Sequence, residues 1–160
     1  MALYNPDWRF VGLDVRRKRV EEADARRARD GLTNLLVWRM DARTVFANVL
    51  HENSIDVVDI FFPTPWTGSQ YKDARLLLQP LFLSHVAKSL RPCGLIRIKT
   101  DVADYASRIE ANLELAKLST VQEPHSGWTQ PQCTQLSRRE WRCRQDHTAV
   151  YKWLIKPLPR

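Results

Sequence analysis

Apolar positions along the chain fall into short blocks whose spacing alternates between the strand and helix periods. Phe10 to Val15 (FVGLDV) is an apolar run carrying an acid near its end, which predicts a short buried strand. The charged stretch from Arg16 to about Asp30 predicts a helix that Gly31 stops. Leu35 to Trp38 predicts a second strand leading into Met40-Asp41-Ala42, and Thr44 to Leu50 has the spacing of a short helix. The third strand is the clearest: Ile55 to Phe62 (IDVVDIFF) is β-branched and aromatic and lies between Asn53-Ser54 and Pro63, as suits the middle of a parallel sheet. Leu76 to Leu90 carries apolar residues at helical spacing, Arg91-Pro92-Cys93-Gly94 breaks it, Leu95 to Thr100 returns to strand, and Ala103 to Leu118 is again helical. Glu123 to Gln135 has loop chemistry, and Ala149 to Ile155 is a last strand candidate.

Strand alternating with helix, with acids where strands end, predicts a doubly wound α/β sheet, in which ligands gather at the carboxyl ends of the strands. No internal repeat, low-complexity segment or linker divides the chain, and 160 residues suit one domain over residues 1–160.

Composition narrows the class. With 44% hydrophobic and 27% charged residues the chain reads as soluble and globular. No apolar run approaches the roughly 20 residues a bilayer requires, and Met1 to Arg9 hold no secretory signal, so a cytoplasmic location is expected. Cys93, Cys133 and Cys143 form neither an even framework nor a CxxC pair, which points to reduced thiols. A rival reading joins His125, Cys133, Cys143 and His147 as zinc ligands, but their spacings match no compact zinc motif, and no metal is expected. A formal charge of +7 favours an anionic partner, with RNA the obvious candidate and an inert basic surface the alternative.

Two strand-end acids carry candidate chemistry. A carboxylate at Asp14 is placed to accept from the vicinal hydroxyls of a ribose, or alternatively to cap the helix beginning near Arg16. Asp41 follows the second strand in the same way, where a carboxylate can accept from the exocyclic amino group of adenine. After the third strand, Phe61-Phe62-Pro63-Thr64-Pro65-Trp66 makes a stiff, aromatic loop; its indole either stacks on a purine or roofs the core.

Taken in order, NPDWRFVGLDV (Asn5 to Val15), Met40-Asp41-Ala42, FFPTPW, Leu90-Arg91-Pro92-Cys93-Gly94 and Lys99-Thr100-Asp101 resemble the tRNA (guanine-N7-)-methyltransferases. The resemblance runs from about Met1 to Lys156, and the FFPTPW loop followed by Leu76 and Pro80 is its most specific element. It implies a Rossmann-like class I methyltransferase sheet, mostly parallel with an antiparallel C-terminal strand. S-adenosylmethionine is the implied cofactor and tRNA the implied partner. Asp14, Val15, Asp41, Ala42, Phe62 and Pro63 match cofactor positions. Pro65, Trp66, Lys72, Arg75, Asp101, Ser137 and Glu140 match substrate positions, the last two as Ser-x-x-Glu where the family has Thr-x-x-Glu.

The chain departs from the family in three places. Thr64 stands at the Asp of the family's FPDPW loop and cannot accept as a carboxylate does, so no catalytic residue is assigned. Lys72 and Arg75 are the remaining cations of a cluster that is richer in the family. The five glycines form no cofactor-binding cluster, so the family's first strand and glycine-rich loop are lacking; Met1 to Tyr4 read as the last turn of the helix that follows that loop, and Met1 as internal to a longer ancestor. Because that strand lies mid-sheet in the family, a homo-oligomer or protein partner is expected to compensate.

The activity so implied is methyl transfer to N7 of a guanine in tRNA, driven by positioning because N7 already carries a lone pair. Arg16, Arg17, Lys18, Arg19, Arg26, Arg27 and Arg29 either steer phosphates or form an ordinary solvated helix face. Two alternatives stand beside this reading: an RNA-binding or partner-binding pseudoenzyme of the same fold, and a methyltransferase acting on a small molecule.

Overall fold

A computed structural model of the chain describes residues 1–65, 76–121 and 137–156. A 3-10 turn at Ala2–Tyr4 leads into strand β1 (Phe10–Asp14), helix α1 (Arg17–Arg29), β2 (Leu35–Arg39), α2 (Ala42–Asn48) and β3 (Ile55–Phe61). Then follow α3 (Pro80–Ser89), β4 (Leu90–Thr100), α4 (Ala103–Leu115), α5 (Arg138–Gln145) and β5 (Tyr151–Ile155). β1 pairs with β2 and β3 with β4 in parallel, while β5 runs antiparallel to β4. The expected mostly parallel arrangement with an antiparallel last strand is therefore present, but in two pieces. Among the described residues β1-β2 form one sheet and β3-β4-β5 another, and no strand bonds the edge of β1 away from β2 or the edge of β3 away from β4.

The core belongs to the three-stranded sheet. The period of two along β3 and β4 turns Val58, Ile60, Ile96 and Ile98 toward α3 and α4, whose Leu83, Val86 and Ile109 are fully enclosed. On the opposite face Asp59 and Arg97 are cross-strand partners, and the buried Arg97 guanidinium is bidentate on Asp59 at 2.5 and 2.7 Å. The β1-β2 sheet is poorly covered by comparison. α1 buries no residue, and Val11 and Leu36 remain 51% and 54% exposed. Its attachment to the rest runs through α2, where Val45 is buried and Phe46 meets Phe82 of α3 edge-to-face at 5.6 Å. Asn34 ties down the N-terminal segment, its amide nitrogen lying 3.0–3.1 Å from the carbonyls of Ala2, Asn5 and Trp8.

Local chemistry moves several expected boundaries: the helix expected over Thr44 to Leu50 runs over Ala42–Asn48 because Asp41 caps it, and the strand expected to reach Phe62 ends at Phe61, where Phe62 turns left-handed. The helix predicted from Leu76 starts at Pro80, because proline is favoured in the first turn and forces Gln79 into the extended region (ψ 157°). Leu76 and Leu78 are buried in the preceding strap instead; Asn112 donates to the Leu78 carbonyl at 2.8 Å. The break at Arg91 to Gly94 is a bulge inside β4: the step from Ile55 to Val57 is matched by the step from Leu90 to Leu95, and Cys93 takes a positive φ of 70°. α4 stops at Leu115 rather than Leu118, because Lys117 turns left-handed (φ 56°) and the Leu118 amide reaches back to the Leu113 carbonyl at 2.9 Å. Gly31 ends α1 in the same way, with φ 63° and a bond from the Leu32 amide to the Arg27 carbonyl, as predicted.

Candidate functional site

The strand-end acids lie on one edge. Asp14 closes β1 opposite Arg39 of β2, and Asp41 follows two residues after Arg39, so both carboxylates project from the carboxyl end of the same parallel pair. Each is held by its own backbone first. Asp14 accepts from the Arg16 amide at 2.7 Å, and Asp41 caps α2 by accepting from the Arg43 amide at 2.8 Å. Each also faces an arginine: Arg19 lies 3.4 Å from Asp14 and Arg43 lies 2.7 Å from Asp41. The helix-capping alternative for Asp14 does not hold: α1 has Arg16 at its N-cap with no side-chain cap bond, and the amide that Asp14 engages is that of Arg16, before the first helical residue. The hydrogen bond from Arg43 holds the Asp41 carboxyl below the usual range against the opposing effect of burial. Both side chains keep about a third of their surface open, 29% and 33%, and neither is sealed in an interior ion pair. Val15 beside them is exposed and Ala42 half-buried.

The loop after β3 reaches the same edge. Phe62 holds a left-handed backbone (φ 53°) that a bulky residue rarely adopts, and its amide donates to the Lys99 carbonyl of β4 at 2.7 Å. That turn carries Pro63, Thr64 and Pro65 outward, and Arg16 donates to the Thr64 hydroxyl at 3.1 Å. The residue that follows β1 by two positions is therefore bonded to the residue that follows β3 by three, across the interval between the two sheets.

A second group sits at the carboxyl end of β4. Asp101 accepts from Arg139 at 2.7 Å and lies 3.5 Å from the buried Cys143 sulfur. Burial pushes the Cys143 thiol up, and Asp101 adds to that. Ser137 and Glu140 form a reciprocal capping box at the start of α5, and Glu140 accepts from Lys99 at 2.7 Å. Burial acts to raise the Glu140 carboxyl, but the bond and charge of Lys99, the Ser137 amide and the charge of Lys152 together hold it below its ordinary value. Lys99 also sits over the Phe61 ring, 4.6 Å from its centre.

Of the residues expected to form the site, the structure gathers Asp14, Asp41 and Thr64 on one edge and Asp101, Ser137 and Glu140 on the neighbouring β4 end. Trp66, Lys72 and Arg75 lie outside the described residues, as do His125 and Cys133 of the rival metal set. Among the described residues no group of three or more His, Cys, Asp or Glu is placed to hold a metal ion. Reasoning from sequence missed Lys99 and Arg43, which neutralise Glu140 and Asp41; the strand-to-helix position of Arg43 beside an acid was the available signal.

Residues 1–153 match the model of the family described as "Putative methyltransferase". The chain belongs to this methyltransferase family. It is 31% identical over 140 residues to the tRNA (guanine-N(7)-)-methyltransferase of Corynebacterium efficiens, covering 88% of this chain and 53% of that protein. It is 32% identical over 155 residues to the enzyme of that name from Nitrosococcus oceani, covering 94% and 61%. The chain thus spans about half the length of such curated relatives. Among solved structures it is similar to a SAM-dependent methyltransferase from Aquifex aeolicus, with a TM-score of 0.59 and 12% identity over 94% of this chain and 69% of that one. It is also similar to the N-methyltransferase NodS of Bradyrhizobium japonicum in complex with S-adenosyl-L-homocysteine, with a TM-score of 0.57 and 12% identity over 94% and 67%. At such identity these likenesses establish the fold, an α/β methyltransferase architecture. Within the described residues no helix is long and apolar enough to cross a membrane.

Proposed function

We propose that the chain takes part in methyl transfer from S-adenosylmethionine to N7 of a guanine in tRNA, as one domain over residues 1–160 acting in the cytoplasm. The observation that supports this best is the common edge shared by Asp14, Asp41 and the Thr64 loop. The residues present fit the nucleoside half of the cofactor: two partly open carboxylates, one per strand-helix unit, match the hydroxyls of a ribose and the amino group of an adenine. They do not supply a clustered glycine turn for its amino-acid half, since the chain has five scattered glycines. Bound there, S-adenosylmethionine supplies an electrophilic methyl group on a sulfonium.

Asp14 and Val15 would hold the sugar, and Asp41 and Ala42 the purine, with Phe62 and Pro63 flanking them. Pro65 and Trp66 would line the guanine pocket, Asp101 with Ser137 and Glu140 its polar edge, and Lys72 and Arg75 would meet phosphates. No strong base is required, because the N7 lone pair attacks directly. Thr64 contributes a hydroxyl that Arg16 already engages, so orientation rather than charge is what this loop offers.

The edges of β1 and β3 that no strand bonds among the described residues fit a partner that donates a strand, either a second copy or another chain, and such a strand would join the two sheets. A second reading, an RNA-binding or partner-binding pseudoenzyme of the same fold, is favoured by one observation: both carboxylates have arginine partners that a cofactor must displace or share. Calorimetric titration with S-adenosylmethionine separates the readings. Micromolar binding that weakens about 10- to 100-fold in Asp14→Ala and in Asp41→Ala supports the cofactor site. Silence at millimolar cofactor overturns it.

A further inference from the structure

The outer face of α5 sets an exposed indole among arginines. Its inner side is fully occupied: Glu140 and Cys143 are buried, and Arg139 is paired with Asp101. At about 100° per residue, Arg138, Trp141, Arg142 and Gln145 fall on the opposite side, with Arg144 on its flank. Trp141 is 56% exposed although it is the largest side chain of the helix. Arg138, Arg142 and Arg144 are all exposed, and among the described residues none of the three is paired with a carboxylate. Lys152, half-exposed, lies 3.9 Å from Glu140 and adds a further cation beside the helix.

We infer that this face is a stacking platform for an unpaired RNA nucleotide, with the indole taking the base and the arginines its flanking phosphates. A planar, water-exposed ring offers a face that every base can use, and guanidinium groups at i−3, i+1 and i+3 are spaced for the anionic backbone on either side. A protein partner fits less well. It would gain one ring while desolvating three arginines that pair with no carboxylate among the described residues, and the helix presents no second apolar residue on that side to enlarge the contact. Paired bases fit less well too, because a duplex exposes base edges rather than faces. The same helix carries Ser137, Glu140 and the Arg139–Asp101 pair of the candidate site on its other side. RNA, rather than another polyanion, is taken from the methyltransferase reading; binding to the platform requires no cofactor, so the two ideas fail separately.

The test is fluorescence anisotropy on the full chain with a labelled single-stranded RNA of about ten nucleotides and a hairpin duplex of similar length. Trp141→Ala should weaken binding of the single strand about fivefold or more and Trp141→Phe should restore most of it, while affinity for the duplex changes less than about twofold. Arg142→Gln combined with Arg144→Gln should lower the slope of log affinity against log salt by roughly 1.4. Thermal melting of Trp141→Ala at the wild-type temperature excludes a folding defect; if it melts lower, the Arg142→Gln, Arg144→Gln pair carries the test, and an unchanged salt slope overturns the inference. Equal affinity of wild type and Trp141→Ala for the single strand overturns the inference. So does a wild-type dimer that Trp141→Ala converts to a monomer, because the face would then belong to a second copy.

Discussion

Glu140 is the residue on which sequence motif and folding chemistry most visibly coincide. Its carboxylate closes the capping box with Ser137 and neutralises Lys99 in a mostly buried setting, so Glu140→Gln should destabilise the fold by about 1–2 kcal/mol in urea titrations at neutral pH. Because the folded carboxyl is held below its ordinary value of 4.5, the stability it contributes is complete above that pH and fades as pH falls through the folded value. Wild type should therefore lose more stability than Glu140→Gln on acidification from neutrality to about pH 3. Thr64 carries a different expectation. Thr64→Asp places a carboxylate against Arg16, and since that pair is exposed, stability should shift by less than about 1 kcal/mol. Methyl transfer, by contrast, should rise about tenfold, because a charged acceptor orients its partners more strongly than a hydroxyl.

At the level of elements, the pattern of apolar positions sufficed for the five strands among the described residues and for the presence of α1 to α4, but not for the starts of α2 and α3, which the cap at Asp41 and the proline at Pro80 set. Ile55 to Phe61 was legible because its β-branched and aromatic residues, bounded by Asn53-Ser54 and Pro63, suit a parallel strand. α5 was not anticipated, although Ser137-x-x-Glu140 is a helix-start signature; the same four positions also fit a substrate motif, and only one meaning was drawn from them. The bulge in β4 was seen as a break, since Pro92 and Gly94 speak for an interruption but not for pairing that resumes beyond it. Gly94 is required there: a Cβ would lie 2.9 Å from the Arg91 carbonyl oxygen and 3.1 Å from that of Asp56, both backbone atoms. Gly94→Ala should cost about 1–3 kcal/mol, measurable as a lowered midpoint in chemical denaturation. In α2, Val45→Ala should cost about 2 kcal/mol locally. Hydrogen exchange should then speed up in β1 and β2 while β4 stays protected, because α2 is the packed link between the two sheets.

Across the whole molecule the division into two sheets sets what the chain can do alone. The three-stranded part has a closed core, whereas β1, α1 and β2 expose apolar side chains on a parallel pair that is ordinarily covered on both faces. The cofactor carboxylates of the proposed site stand on this weaker part, and the loop and helix that would meet substrate stand on the stronger one. The Arg16–Thr64 bond and the α2–α3 contact join them. In the proposed function these halves together serve methyl transfer to guanine. That role is tested most directly by incubating the chain with unmodified tRNA and methyl-labelled S-adenosylmethionine, digesting the RNA and separating its nucleosides. Label should appear in 7-methylguanosine; its absence there, while the Corynebacterium efficiens relative labels the same tRNA alongside, would rule out the proposed methyl transfer.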